Sequence, residues 1–137
     1  MTTEDKAPLR FQLRHTMIPV GDLARSVDFY QRLFGMQVLR QRPPDDSGRA
    51  TAYVGYGEEE SNTVLELISG TGERAAPWAG HIAISVSDLT TLCDKLTAEG
   101  VRFSKPLKAV SDGTRRLTAN IYDPDGIEIE LSEPRLP

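Results

Sequence analysis

The 137-residue sequence has little cysteine, little histidine and no long hydrophobic run. Its single cysteine excludes an intrachain disulfide framework and any zinc site built from several cysteines. No run of about 18 apolar residues is present, which excludes a membrane-spanning helix, and the start of the chain lacks the apolar core of a secretory signal. The net charge of −4 offers no basic surface for nucleic acid. These absences predict a cytoplasmic protein that binds neither membrane nor nucleic acid.

What the sequence contains is typical of a folded protein. Hydrophobic residues make up 39% of the chain, and 11 glycines are an ordinary number. The length suits one domain, or two very small modules that share a core. Only two histidines occur, His15 and His81, so their positions carry more information than those of commoner residues.

Local patterns predict the same order of elements twice. Asp22 is a candidate N-cap for a helix that ends at Gly35, and Asp88 is a candidate N-cap for a helix that ends near Gly100. Strands surround both helices, so each half is predicted to be βαβββ. The predicted parts are an N-terminal tail at 1–12, a first module at 13–70, a linker at 71–79 and a second module at 80–137. The predicted strands are Leu13–Val20, Met36–Gln41, Arg49–Tyr56 and Thr63–Ile68, then His81–Val86, Val101–Lys105, one ending at Tyr122, and Ile127–Ser132.

The restart is also visible as an internal repeat. His15–Leu23 aligns with His81–Leu89 at an offset of 66, with His, Ile, Val, Asp and Leu in common. Val64–Leu67 aligns with Glu128–Leu131 at an offset of 64. Each half therefore begins with a strand that bears a histidine and ends with a strand that bears a glutamate. A repeat of this kind indicates modules that bury their apolar faces together.

Strand alternation predicts where these side chains point. In the first strand His15 lies on the face opposite Ile18 and Val20, and the other three strands that bear His or Glu alternate in the same way. If the apolar face meets the helices, both histidines and both glutamates line the open face of a curved sheet.

Four residues on that open face are candidate metal ligands: His15, Glu66, His81 and Glu130. Two imidazoles and two carboxylates suit a divalent ion of the Mn, Fe, Co, Ni or Zn group. His15, His81 and Glu130 alone would form a two-His-one-carboxylate triad with open positions. Such an ion can hold two adjacent substrate oxygens, and a neighbouring carboxylate can act as general base. Glu128 shares the face of Glu130, although the repeat favours Glu130.

Other residues have ordinary explanations. Cys93 lies at a core position of the second helix, and the acidic run Glu58–Glu60 is typical of a solvated turn. Trp78 either lines a pocket or anchors the linker. Five basic residues could reach an anionic group of a substrate: Arg49, Arg74, Lys108, Arg115 and Arg116.

Several segments together resemble the glyoxalase I branch of the vicinal oxygen chelate superfamily, over about His15 to Leu131. They are HTMIPVGDLARSVDFYQRLFGMQVLR, YVGYGEE, TVLEL, GHIAISV and DPDGIEIEL. The resemblance implies an α+β fold of two βαβββ modules with curved mixed sheets, paired into a homodimer.

The resemblance also implies a site and a reaction. The four metal ligands would be His15, Glu66, His81 and Glu130, holding Ni, Co or Zn at sites shared between two chains. The family isomerises the hemithioacetal of glutathione and methylglyoxal through an enediolate. The candidate catalytic residues are the ligand glutamates, with Glu130 as the one that shuttles the proton.

Two positions depart from the family pattern. Where glyoxalase I usually has an arginine that contacts glutathione the sequence has Pro19, and where it usually has an asparagine the sequence has Gly70. A glyoxalase I-type isomerase or lyase with altered thiol recognition is therefore the first hypothesis. An Fe(II)-dependent dioxygenase of the same superfamily, acting on an aromatic or polyketide-like substrate, is the second. A small-molecule binding or resistance protein is the third.

Overall fold

The computed structural model describes residues 7–134 and contains two four-stranded sheets with one helix each. The elements of the first half are β1 (His15–Val20), α1 (Leu23–Phe34), β2 (Gln37–Arg42), β3 (Ala50–Gly55) and β4 (Val64–Ser69). The second half has β5 (Ile82–Ser85), α2 (Leu89–Ala98), β6 (Phe103–Ala109), β7 (Leu117–Tyr122) and β8 (Glu128–Ser132). The predicted α+β fold of two βαβββ modules is confirmed.

Capping residues define both helices. The Asp22 side chain accepts a hydrogen bond from the Arg25 amide at 3.0 Å, and α1 ends at Gly35 in the left-handed conformation. The Asp88 side chain accepts a hydrogen bond from the Thr91 amide at 3.1 Å and starts α2. These caps set where each helix begins relative to the strand before it. His15 is the first residue of β1, and His81 lies one residue before β5, although its strand was predicted to begin at His81.

Both sheets have the same mixed topology. Their strand orders are β1-β4-β3-β2 and β5-β8-β7-β6, and the first strand of each module pairs in parallel with its last, Glu-bearing strand. Met17 is in register with Glu66 and Ala83 with Glu130, two residues beyond each histidine. The repeat is therefore structural as well as sequential, and it places each histidine beside the glutamate of its own module.

One hydrophobic core joins the two modules, and polar contacts reinforce the junction. The hydroxyl of Tyr30 in α1 donates to Asp123 at 2.7 Å, in the turn between β7 and β8. Asp125 in the same turn accepts from the Gly21 amide at 2.9 Å and from the Ser26 hydroxyl at 3.2 Å. Burial raises the pKa of both Tyr30 and Asp123. The second module's turn thus holds the first module's helix.

Differences from the predicted elements are small and concern their ends. β6 continues to Ala109, beyond the predicted end at Lys105. Pro19 is accommodated because β1 lies at the edge of its sheet, next to β4. Cys93 is buried, as predicted for a core position. Within residues 7–134, no helix has the length and apolar character needed to cross a membrane.

Candidate metal centre

The predicted division of the strands into two faces is confirmed. Ile18, Leu67, Ile129 and Leu131 are buried in the core beneath the helices. The side chains of both histidines and both candidate glutamates are instead exposed or partly exposed. The open faces of the two sheets therefore present imidazole and carboxylate groups.

The first pair consists of His15 and Glu66. His15 Nε2 lies 3.9 Å from Glu66 Oε1. The other carboxylate oxygen, Oε2, accepts a hydrogen bond from the hydroxyl of Tyr53, which lies in register with Glu66 on the neighbouring strand β3. The Tyr53 ring also packs edge-on against the His15 ring, with centroids 5.6 Å apart.

Arg40 and Glu59 support the Tyr53 ring from its other side. The Arg40 guanidinium lies 3.7 Å from the centre of that ring and donates to Glu59 through Nε and Nη2, each at 2.9 Å at closest. The hydrogen bonds from Arg40 lower the pKa of Glu59, and burial raises the pKa of Tyr53. Glu58–Glu60 lies in a turn with Glu58 and Glu60 exposed, as predicted, while Glu59 is partly covered and pairs with Arg40.

The second pair consists of His81 and Glu130, and its surroundings differ from those of the first. His81 Nε2 lies 2.8 Å from Glu130 Oε2. Asn120 takes the register position opposite Glu130 that Tyr53 takes opposite Glu66. Glu128 accepts a hydrogen bond from the Ser104 hydroxyl at 2.6 Å, so its carboxylate already has a partner. The contact with His81 favours Glu130 over Glu128 as a ligand.

The donor atoms of each pair suit a divalent ion. Bonds of about 2.0–2.2 Å to nitrogen and oxygen place neighbouring ligand atoms roughly 3.0–3.5 Å apart around a metal. The separations of 2.8 and 3.9 Å are close to that range. Among residues 7–134 no third His, Cys, Asp or Glu joins either pair to form a cluster of three. The chain brings together His15 with Glu66 and His81 with Glu130, and it does not unite the four.

A cavity of about 720 Å³ is lined mainly by the linker between the modules and by the turn between β7 and β8. Pro19 borders it from β1 and Glu128 borders it from β8. Two guanidinium groups, Arg74 and Arg102, also line it, together with the half-exposed Trp78. None of the four candidate ligands lines this cavity. His81 lines a separate cavity of about 630 Å³, which Trp78 also borders.

The backbone conformation explains why position 70 is glycine and not the asparagine of the family pattern. Gly70 has φ +80°, and a Cβ atom placed there would collide with the carbonyl group of Gly48, 2.9 Å from its carbon. Any side chain at this position would have to displace the loop that contains Gly48. The asparagine of the family pattern is thus excluded by the present path of the chain.

Sequence reasoning missed Tyr53, Arg40 and Glu59. Alternation alone puts Tyr53 on one face of β3, but the partner of that face depends on the register between β3 and β4. The pairing could have been inferred from the sequence, because consecutive strands joined by a short loop usually pair antiparallel, and β3 directly precedes the Glu-bearing strand β4.

Comparison with known proteins identifies relatives over nearly the whole chain. Residues 12–131 match the glyoxalase/bleomycin resistance protein/dioxygenase superfamily. The lactoylglutathione lyase of Escherichia coli O157:H7 is 38% identical over 128 residues, which cover 90% of this chain and 93% of that protein. The probable lactoylglutathione lyase of Vibrio parahaemolyticus is 38% identical over 123 residues, which cover 88% of each chain.

Solved structures agree with these sequence relatives. The trypanothione-dependent glyoxalase I of Leishmania major is 36% identical, with a TM-score of 0.76 over 90% of this chain and 87% of that one. Glyoxalase I from Zea mays is 29% identical, with a TM-score of 0.78 over 91% of this chain and 45% of the longer maize chain.

Proposed function

Because the chain belongs to the glyoxalase/bleomycin resistance protein/dioxygenase superfamily, we propose that it is a divalent-metal-dependent isomerase or lyase of the glyoxalase I type. The resemblance of its motifs to that family is confirmed, as is the expectation of a glyoxalase I-type enzyme. The observation that carries the proposal is the pair of imidazole and carboxylate groups found at the same place in both modules. The proposed substrate is the adduct of a small thiol and a 2-oxoaldehyde.

The four proposed metal ligands are His15, Glu66, His81 and Glu130. When bound, a divalent ion such as Ni, Co, Zn or Fe(II) acts as a Lewis acid toward two adjacent substrate oxygens. The metal-binding atoms of the chain are the Nε2 atoms of the histidines and one oxygen of each glutamate. The side chains of His15 and His81 are 36% and 45% exposed, which leaves room for further ligands beside each imidazole.

Glu130 is the proposed proton carrier. Its side chain is 39% exposed, compared with 14% for that of Glu66. A carboxylate that can reach two adjacent carbons can remove a proton from one and return it to the other. Glu66 remains the second candidate for that role, but its Oε2 already accepts a hydrogen bond from Tyr53.

A complete site requires two chains in this proposal. Each chain supplies two pairs of ligands, and no pair gains a third ligand within the described residues. A cytoplasmic homodimer would place the His15–Glu66 pair of one chain against the His81–Glu130 pair of the other. Mixing two variants tests this arrangement, since His15→Ala and His81→Ala chains each lack every complete site. A mixture of the two should regain about a quarter of the parental activity, because half of the dimers carry one intact site. No recovery on mixing, or a monomer in sedimentation, would contradict shared sites.

Recognition of the thiol should differ from that of glutathione. Pro19 offers no charge where the family pattern has arginine, and the backbone excludes a side chain at Gly70. Arg74 and Arg102 line the same cavity as Pro19 and could hold a substrate carboxylate there. One solved relative is trypanothione-dependent, which supports the idea that the fold serves more than one thiol.

The decisive experiment is anaerobic reconstitution with Ni(II), Co(II), Zn(II) or Fe(II), followed by assays with and without oxygen. We expect turnover of a thiol–methylglyoxal adduct that does not need oxygen. The adducts of glutathione and of other small thiols should be compared, and Pro19→Arg should improve kcat/KM for the glutathione adduct. Oxygen consumption with a vicinal diol substrate, and no turnover of any thiol adduct, would instead favour the Fe(II) dioxygenase.

The ligand set is tested by metal binding alone. Glu66→Gln and His81→Ala should bind metal more weakly than the parent in equilibrium dialysis, while circular dichroism shows that both remain folded. A parental affinity in both variants would contradict the proposed ligands.

A further inference from the structure

The two candidate ligand carboxylates are held differently. Glu66 is largely covered, and one of its oxygens accepts a hydrogen bond from the Tyr53 hydroxyl. Among the described residues, the polar contact of the Glu130 carboxylate is with His81 alone. Since both glutamates occupy equivalent positions of the repeat, the difference comes from their neighbours.

Tyr53 is well placed to fix the Glu66 carboxylate. It lies directly across from Glu66 in the antiparallel pair of β3 and β4, so its side chain and that of Glu66 share one face. The hydrogen bond occupies Oε2 and leaves Oε1 directed toward His15 Nε2 at 3.9 Å. The Glu66 carboxylate is therefore already oriented by the chain itself, with Oε1 on the side of the His15 imidazole.

The tyrosine itself is immobilised. Tyr53 is 3% exposed, and the Arg40 guanidinium covers its ring at 3.7 Å. Arg40 is in turn fixed by two hydrogen bonds to the Glu59 carboxylate. The opposite module has no such arrangement, because its register position holds Asn120. A group held by this many contacts can orient another without losing much conformational entropy on metal binding.

We propose that Tyr53 is a positioning residue that fixes Glu66 as a rigid metal ligand and thereby leaves Glu130 as the carboxylate free to move. This inference rests on the proposed function, and it assigns the two glutamates different tasks. A buried tyrosine hydroxyl needs a partner in any protein, so a structural hydrogen bond alone would also place these atoms together. The two explanations differ in what they predict for metal binding.

The test compares Tyr53→Phe with the matched control Tyr56→Phe. Both substitutions remove one hydroxyl that donates a hydrogen bond, and in Tyr56 that bond goes to the Phe34 carbonyl at 2.6 Å, a group that belongs to neither pair. Co(II) is the probe, because its visible absorption reports both affinity and coordination. We expect Tyr53→Phe to weaken Co(II) binding by about 10- to 100-fold and to change the absorption spectrum at saturating Co(II). Tyr56→Phe should lower Tm without either effect.

Equal Co(II) affinity and identical spectra in the parent and Tyr53→Phe would overturn the inference. If Tyr53→Phe does not fold, Arg40→Met decides in its place, since it removes the support of the ring and keeps the hydroxyl. A parental affinity in a folded Arg40→Met chain would then overturn the inference. The proposed function fails separately, if the parent takes up no Co(II) or if Glu66→Gln binds it as the parent does.

Discussion

Glu66 and Glu130 occupy equivalent positions in the two modules, yet only Glu66 is held by a tyrosine. The strands around them keep the same order and the same parallel pairing. What has changed is the residue across the sheet, Tyr53 in one module and Asn120 in the other. A duplicated site can thus retain its ligands while its two halves take on different roles. Substitutions in each half can separate metal ligation by Glu66 from proton transfer by Glu130.

The largest expected difference lies between Glu130→Gln and Glu66→Gln. Removal of the proton carrier should lower kcat by about 10²- to 10⁴-fold at saturating metal. Removal of a ligand that does not move protons should act mainly on metal affinity, so excess metal should restore much of the activity of Glu66→Gln. Steady-state kinetics over a range of metal concentrations distinguishes the two. Equal losses of kcat at saturating metal would contradict the division of roles.

Pro19 and Gly70, the two positions that depart from the glutathione-binding pattern, both lie in the first module. Introducing the family residue should have different effects at the two positions. Gly70→Asn should lower the free energy of unfolding by about 1–3 kcal/mol, because its side chain must push against the Gly48 carbonyl. Gly35→Asn is the matched control, since Gly35 also has a positive φ but nothing lies within 4 Å of a Cβ there. Urea unfolding of both variants measures the difference. A similar cost for both would show that the loop at Gly48 moves aside easily.

The smallest expected effect concerns the junction between the modules. Burial raises the pKa of Asp123, so the folded chain holds that proton more tightly than the unfolded chain does. The stability from this group is therefore present below its ordinary value of 3.8 and is lost as pH rises through the raised pKa. Asn at this position does not titrate. From about pH 4 upward the Tm of the parent should fall relative to that of Asp123→Asn. Parallel Tm curves would contradict a raised pKa.

Much of the fold follows from local signals in the sequence. Asp22 and Gly35 mark the ends of α1 because a cap and a left-handed stop have few substitutes. The alternation of Ile129 and Leu131 with Glu128 and Glu130 fixes the faces of β8, because a side chain in a strand has only two directions.

The surroundings of the site could not be predicted in the same way. The contact of Arg40 with Glu59 joins residues on different elements, and the support of Tyr53 depends on how far each side chain reaches. The choice between Glu128 and Glu130 likewise depended on the partner of each carboxylate, Ser104 or His81. Periodicity predicts which face of a strand a side chain lies on, but not which residue of another element it contacts.

The turn between β7 and β8 has a consequence for the history of the repeat. It makes four hydrogen bonds to α1 and its entry, from Gly21, Arg25, Ser26 and Tyr30. The repeat offset aligns Tyr30 with Leu96 of α2, and Leu96 has no hydroxyl to return the contact. The two modules are therefore no longer interchangeable. A chain built from two copies of the second module would lose the Tyr30 bond, and one built from two copies of the first would lose the turn.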